Sequence, residues 1–194
     1  MGTSEKLTTS ATTYPVSVIE ARKHLRVDIN EDDIEIYNLI RRATAYATGY
    51  TGRAFIDEVW TQYRDDGFSG EMMLAHLPVV SVDSIKYLDA DGTQQTLATT
   101  VYRTDLITGR ITLAHAQTWP SVRAVTNTVE IAYTAGYGTS QSPVGLVPED
   151  IKHGILLLVG HWLENKEAVT KGTTSKETPI GVHNLLDQVR VYHV

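Results

Sequence analysis

The sequence predicts an α+β protein in which N-terminal and C-terminal helices form a helical bundle, with a small antiparallel β-sheet inserted between them. Apolar residues recur at three- and four-residue spacing in residues 31–50 and 148–166, which is the period of a helix that buries one or more faces. From about residue 56 to 135, apolar and polar residues alternate instead, as they do in half-buried strands. The predicted organisation is a flexible N-terminal arm (1–13), a helical bundle (14–55 plus 147–194) and a β-rich insertion (56–146).

The first 13 residues, MGTSEKLTTSATT, are polar and contain no hydrophobic run. A segment of this composition has little apolar surface with which to offset the entropy lost on ordering. We therefore predict a flexible arm at this end of the chain.

Two helices are predicted before the insertion. Ser17 is suited to capping a short helix over 18–25, because its hydroxyl can accept a hydrogen bond from the first turn. Asn30 can cap the second helix, and the acidic residues 31–33 place negative charge where the helix dipole favours it. Gly52 can adopt the left-handed conformation that ends such a helix.

Alternation marks the strands of the insertion. In residues 128–133, Val, Ile and Tyr alternate with Thr, Glu and Ala, which predicts a strand with one buried face. Val82 and Ile85 lie in opposite phases of a neighbouring run, so we predict a β-bulge near Asp83-Ser84, since one extra residue restores a single apolar face. The residues Asp-Ala-Asp-Gly at 89–92 predict a turn.

The helix predicted at 148–166 is apolar on nearly every side, which indicates burial on several faces. Pro148 suits the first helical position, because the amide proton that it lacks has no helical partner there. Gly154 and Gly160 each cost about 1 kcal/mol relative to Ala inside a helix. That cost is tolerable if these glycines allow another backbone to approach closely.

Composition excludes several classes of function. The chain has 194 residues, a formal net charge of −6 and no cysteine. An acidic chain produces no global field that attracts nucleic acid. The absence of cysteine excludes disulfides, zinc–thiolate sites and cysteine nucleophiles. No apolar run approaches the roughly 18–20 residues that a membrane-spanning helix needs, so the sequence predicts a soluble protein.

Catalytic motifs are absent from the sequence. His153 and His161 are too far apart on one helix to hold one metal ion, and no pair of histidines has the spacing of a helical zinc site. The run Gly136-Tyr137-Gly138 lacks the third glycine of a dinucleotide-binding loop. We predict that the protein is not an enzyme and has no catalytic, cofactor-binding or metal-binding residues.

Five stretches carry a family resemblance, and they read in order LRVDINEDDIEIYNLIRRATAYATGYTGRAF, LPVVSVDSIKYLDADGT, VEIAYTAGYG, VPEDIKHGILLLVGHWLENKEAV and PIGVHNLLDQVRV. Together they resemble the head–tail adaptor proteins, also called head-completion or connector proteins, of long-tailed bacteriophages and gene transfer agents. The resemblance spans about residues 16–192, and its most specific pieces lie at 50–53, 87–89 and 185–191.

The resemblance implies a structural protein of the virion that forms a ring, usually dodecameric, below the portal and extends the channel through which DNA is ejected. The implied partners are the portal protein, tail or stopper proteins of the neck, further copies of the chain, and double-stranded DNA that passes without sequence-specific binding. No membrane is implied. The implied location is the virion neck, with the host cytoplasm during assembly. Helices 31–50 and 148–166 are expected to form the bundle and part of the contact between subunits.

The polar loop 168–178 and the terminal segment 179–194 are the predicted docking region for the portal or a neighbouring subunit. Within it we expect four apolar anchors and two polar-edged ones: Leu185, Leu186, Val189, Val191, Arg190 and Tyr192. The alternative is that residues 179–192 fold back on the bundle of their own subunit.

Two other functions remain open on sequence alone. A tail terminator or stopper at the same neck is the nearest alternative to an adaptor. A ligand- or carbohydrate-binding module is the other, and it requires a concave aromatic-lined surface involving Trp60, Tyr63 or Trp119.

Overall fold

The computed structural model of the chain describes residues 2–27, 32–68, 70–138, 147–165 and 180–191. The chain divides into two compact units, one made of Met1–Ala11 with Asp57–Thr139 and the other of Thr12–Ile56 with Ser140–Val194. Strands make up the regular structure described in the first unit, and helices make up that of the second. The predicted α+β architecture, with strands inserted into a helical bundle, is confirmed.

The helical unit contains α1 (Val18–Leu25), α2 (Asp33–Thr51), α3 (Glu149–Glu164) and α4 (Ile180–Asp187). Helix α1 begins with a capping box, in which the Ser17 hydroxyl accepts from the Glu20 amide and the Glu20 carboxylate accepts from the Ser17 amide. Helix α2 ends at Gly52, which has the predicted left-handed conformation (φ 68°).

The start of α2 differs from the prediction. Its N-cap is Asp32, whose side chain makes no capping hydrogen bond, whereas the sequence favoured Asn30. Asn30 lies outside the described residues. Asp33 and Glu35 still place negative charge in the first turn, where the unpaired amides of the helix end favour it.

Helices α2 and α3 pack against each other at the centre of the helical unit, with α1 and α4 each packed on both of them. Helix α2 contributes a buried stripe at helical spacing, which consists of Ile36, Ile40, Ala43, Ala47 and Thr51. Helix α3 buries Ile151, Ile155, Leu158 and Val159, together with the aliphatic stem of Lys152, whose ammonium reaches Glu149 at 2.7 Å.

The two glycines of α3 lie under side chains of their own chain, not under a second backbone, which was the condition stated for tolerating their cost. A Cβ on Gly154 would lie 3.3 Å from Leu186 of α4, and one on Gly160 would lie 3.4 Å from Leu25 of α1. Both α1 and α4 therefore reach α3 at positions where α3 has no side chain. The correction follows from geometry, because leucine side chains fill the same space that a closely approaching backbone would need.

The strand unit contains two antiparallel sheets. A five-stranded sheet has the order β1-β2-β8-β4-β5, and a three-stranded sheet has the order β3-β7-β6. The strands are β1 (Thr3–Thr9), β2 (Glu58–Arg64), β3 (Glu71–Met73), β4 (Val79–Leu88), β5 (Gln94–Thr96), β6 (Tyr102–Asp105), β7 (Arg110–Leu113) and β8 (Val129–Ala135).

Strand β8 lies at the centre of the five-stranded sheet and alternates buried and half-buried residues along its length, as predicted. Its neighbour β4 shifts register between Val82 and Ser84, which confirms the predicted bulge at Asp83. The turn at 89–92 is also present, because the Gly92 amide donates to the Asp89 carbonyl at 2.9 Å and Gly92 has a φ of 87°.

The structure differs from the sequence prediction at the N-terminus. Thr3–Thr9 form β1, which pairs antiparallel with β2 at the edge of the five-stranded sheet, where a flexible arm was expected. Every residue of β1 is exposed, so the strand is held by backbone hydrogen bonds and polar contacts. One such contact joins the hydroxyls of Thr8 and Thr61 at 2.8 Å. A strand that buries no side chain leaves no apolar pattern in the sequence.

Gly154→Val should lower the free energy of unfolding by about 1–3 kcal/mol, because the branched side chain would overlap Leu186. Gly49→Val is the matched control, since a Cβ at Gly49 of α2 meets nothing within 4 Å. Urea unfolding followed by circular dichroism measures both. Helix propensity favours valine over glycine at both positions, so Gly49→Val should cost nothing, and a similar loss in both variants would contradict a cost set by the contact with α4.

Candidate assembly surfaces

The described part of the predicted docking segment folds back on its own helical unit. Leu186 is fully buried and Val182 with it, whereas Leu185 and Val189 are half-buried. Arg190 is exposed and Val191 is half-buried. Tyr192 and the loop 168–178 lie outside the described residues. Of the six predicted anchors, Leu186 is thus a core residue of the helical unit in the structure of the single chain.

The residues after α4 are tied to the end of α2. The Val191 amide donates to the Thr51 carbonyl at 2.8 Å, and the Arg53 guanidinium donates to the Val189 carbonyl. A Cβ at Gly52 would lie 3.6 Å from Val191. The two motifs at 50–53 and 185–191 are therefore in contact, although they are far apart in the sequence.

A row of stacked aromatic rings and arginines runs across α2, α3 and α4, and we call it the cation–aromatic ladder. Its members are Arg42, Tyr46, Tyr50, Trp162, His183 and Arg190. The Arg42 guanidinium lies 4.4 Å from the centre of the Trp162 ring, and that of Arg190 lies 4.8 Å from the Tyr50 ring. Between them, Tyr46 stacks on Tyr50 at 6.2 Å and Tyr50 on His183 at 5.1 Å.

Hydrogen bonds fix the ladder in place. The Tyr50 hydroxyl donates to the Asp187 carboxylate at 2.7 Å, and the Tyr46 hydroxyl lies 3.0 Å from Nε2 of His183. The hydrogen bond to Asp187 raises the pKa of Tyr50, with desolvation and the charge of Asp187 as further causes. Tyr50 therefore remains a neutral donor, and the ladder keeps its two arginines as its permanent charges.

A second surface, the α1–α2 patch, consists of Ile19, Ile34 and Tyr37, whose exposed fractions are 71%, 79% and 45%. The rings of Tyr14 and Tyr37 meet edge to face at 5.5 Å, and Arg22 pairs with Asp33 at 3.4 Å. Along the chain, Ile19 lies between Tyr14 and Arg22, and Ile34 lies between Asp33 and Tyr37. These two contacts bring α1 and the start of α2 together, and each helix contributes exposed apolar side chains to this side of the helical unit.

The two surfaces lie on opposite flanks of α2. Tyr37 and Tyr46 are nine residues apart, which at about 100° per residue places them on opposite sides of the helix. Tyr37 faces the α1 side through Tyr14, and Tyr46 faces α3 and α4 through Trp162 and His183. This division was not predicted from the sequence. Its available signal was Ile34, which is apolar but out of phase with the buried stripe of α2.

A shallow groove of about 420 Å³ separates α1 from α3. The His24 and His153 rings meet there edge to face at 5.9 Å, and Lys152 pairs with Glu149. Within the described residues, no three histidine, aspartate or glutamate side chains are grouped so that they could hold a metal ion. The groove therefore offers ordinary polar and apolar contacts and no evident chemistry.

The aromatic residues named for a ligand-binding module are engaged within the strand unit. The Trp60 ring stacks on His76 at 3.7 Å, and the Trp119 ring stacks on Phe68 at 4.9 Å. Tyr63 is half-buried on β2. One face of each tryptophan is therefore covered by a neighbour within the strand unit.

Glu58 of β2 is the acidic group of the strand unit that burial affects most clearly. Burial raises its pKa, against the opposing effects of the Ala11 amide, which donates to it at 3.3 Å, and of Trp60. Burial likewise raises the pKa of the adjacent Asp57.

No helix in the parts of the chain described by the structure is long and apolar enough to cross a membrane.

Comparison with known proteins gives a family and a fold. The model of the family described as head completion protein matches residues 16–181. A chain in the neck of an empty gene transfer agent particle, computed with C6 symmetry, is 24% identical, with a TM-score of 0.77 and coverage of 98% of this chain and 97% of that one. A chain in the neck of the native particle, computed with C12 symmetry, is also 24% identical, with a TM-score of 0.73 and coverage of 100% and 97%. No curated protein matches the chain.

Leu186→Ala should lower the free energy of unfolding by about 2–5 kcal/mol, because it leaves a cavity against α3. Leu185→Ala, one residue earlier and half-buried, is the matched control and should cost clearly less. Urea denaturation of the free protein measures both. Similar small losses would show that α4 is not part of the core.

Glu58→Gln should raise the melting temperature at pH 7. Because the folded pKa is raised, ionisation of Glu58 costs stability as pH rises from its unfolded pKa through its folded pKa, and the cost is fully present above that window. Below about pH 4 both states are largely protonated, so the gain should disappear. Asp91→Asn, at an exposed turn position, is the control. A gain that is independent of pH would contradict the assignment.

Proposed function

This chain belongs to the head completion protein family, and we propose that it is the ring-forming adaptor that joins the portal of a tailed particle to the tail. The observation that carries the proposal is the extent of the family match. Residues 16–181 include the helices α1 to α3 and the strands β2 to β8, so the match covers both units and not one motif.

The fold supports the same role. The similar chains come from the necks of gene transfer agent particles, and the likeness extends over nearly the whole length of both chains. We therefore infer a structural protein of the virion, located at the neck and present in the host cytoplasm before assembly.

The mechanism that we propose is assembly by burial. Each copy contacts the next through a heterologous interface, in which two different surfaces meet, and such an interface closes into a ring when the rotation between copies allows it. We expect twelve copies, as the family resemblance implies. Apolar and aromatic side chains at the surface of the helical unit supply the area that such a contact would remove from water.

The charge of the chain suits a passage for DNA. A net charge of −6 provides no general attraction for phosphates, so ejection of DNA would not be slowed by many contacts that must form and break. Contacts specific to particular bases are not required in such a channel, because DNA of any sequence must pass through it.

We propose that attachment to the portal uses the loop 168–178 and the exposed side of the terminal segment. Leu185, Val189 and Val191 retain part of their apolar surface outside the core. Truncating an anchor at the centre of an interface typically costs about 2–4 kcal/mol. Leu186 would contribute indirectly, by holding α4 in position.

The free protein should be a monomer or a small oligomer, and its portal should drive it into a ring, because the portal's symmetry holds successive copies in register. Light scattering of the protein alone and with purified portal measures the two masses. Electron microscopy of the mixture should show a ring on the portal. A protein that stays monomeric and unbound at high portal concentration would contradict the adaptor role.

A further inference from the structure

The α1–α2 patch and the cation–aromatic ladder differ in chemistry and lie on opposite flanks of the helical unit. We propose that they are the two halves of the contact between successive copies of this chain, with the patch of one copy seated on the ladder of the next. The inference rests on the proposed ring and identifies the surfaces that would build it.

The shape of the arrangement favours a head-to-tail contact. A two-fold dimer needs one surface that is complementary to itself, whereas a closed ring needs two different surfaces on different sides of each subunit. The patch lies on the α1 side of α2 and the ladder on the α3 and α4 side. Surfaces in these positions can bind two neighbours at once, one on each flank.

The side chains of the two surfaces are also complementary. Ile19 and Ile34 are 71% and 79% exposed, so a flat partner that covers them removes apolar area from water. The ladder offers such a partner, because Trp162, Tyr46 and Tyr50 present half-buried aromatic rings. Tryptophan, tyrosine and arginine are the residue types that contribute most to binding energy at protein interfaces.

Charge complementarity points to a second copy as the occupant. Helix α2 carries acidic residues only in its first turn, at Asp33 and Glu35, with Asp32 as the exposed N-cap, and basic residues only at Arg41 and Arg42 further along. The α1–α2 patch is thus next to an acidic helix end, and the ladder is next to a basic segment. Asp33 is paired with Arg22, and Arg190 with Asp187, within each copy, so the contrast comes mainly from Asp32 against Arg41 and Arg42. Two copies in head-to-tail contact bring these opposite charges together, whereas two ladders facing each other would oppose the Arg42 side chains of the two copies.

The test uses the full chain, which has no cysteine, so every disulfide comes from a substitution. Ile34→Cys and Arg190→Cys are introduced together, one on each surface. The residue after Arg190 is hydrogen-bonded to Thr51, which lies seventeen residues from Ile34 on α2, roughly 25 Å along the helix axis, and a disulfide needs Cα atoms within about 7 Å. The pair therefore cannot close within one chain. Mild oxidation is applied to concentrated protein and to protein assembled on its portal.

The expected result is a series of covalent multimers on a denaturing gel, ending at the size of the closed ring. Each single variant should give no species beyond a trace of dimer. The matched control combines Ile34→Cys with Arg103→Cys, an exposed arginine on β6, and should give no multimers. Unchanged melting temperatures of the reduced variants establish that the fold is intact.

The outcomes separate this inference from the proposed function. Incorporation on the portal without covalent multimers overturns the inference and leaves the adaptor role standing. Multimers in concentrated protein that never binds the portal support the contact and contradict the adaptor role. Equal multimer formation by the control pair overturns the inference, because it would show that collision alone produces the products.

Discussion

The packing of α4 on α3 fixes where the C-terminal segment of the helical unit lies. Gly154 leaves α3 without a side chain where Leu186 inserts, and the cost of a helical glycine, about 1 kcal/mol, is offset by burial of that leucine. Once α4 is placed, its continuation can hydrogen-bond to the end of α2 through Thr51 and Arg53. His183 and Arg190 then reach the tyrosines of α2, so the part of the cation–aromatic ladder around Tyr50 depends on the docking of α4.

Much of the architecture follows from the sequence because it depends on periodicity. The stripe of α2 and the alternation of β8 are direct consequences of how each backbone repeats, and the bulge at Asp83 follows from a change of phase. The strand β1 could not be predicted in this way, because it buries nothing. The burial of Leu186 could not be predicted either, since a short amphipathic segment has the same pattern whether its apolar side meets its own chain or another.

The surfaces proposed for assembly were similarly hidden. Tyr46 and Tyr50 fit the apolar spacing of α2 and therefore look like core residues, but their rings lie at the edge of the bundle and stack on one another. Only the placement of α3 and α4 shows that Trp162 and His183 continue the row. An interface between copies is a property of several elements together, whereas a sequence pattern reports one element at a time.

The exposed edge strand β1 has a consequence for how this chain can vary. Its pairing with β2 uses main-chain groups, which every residue other than proline can supply, so the strand places few demands on side-chain identity. Many different sequences can therefore occupy residues 3–9 without loss of the sheet. The family match begins only at residue 16, after this strand. The strand can thus tolerate substitution at positions other than Glu5 and Thr8, whose side chains contact His76 and Thr61.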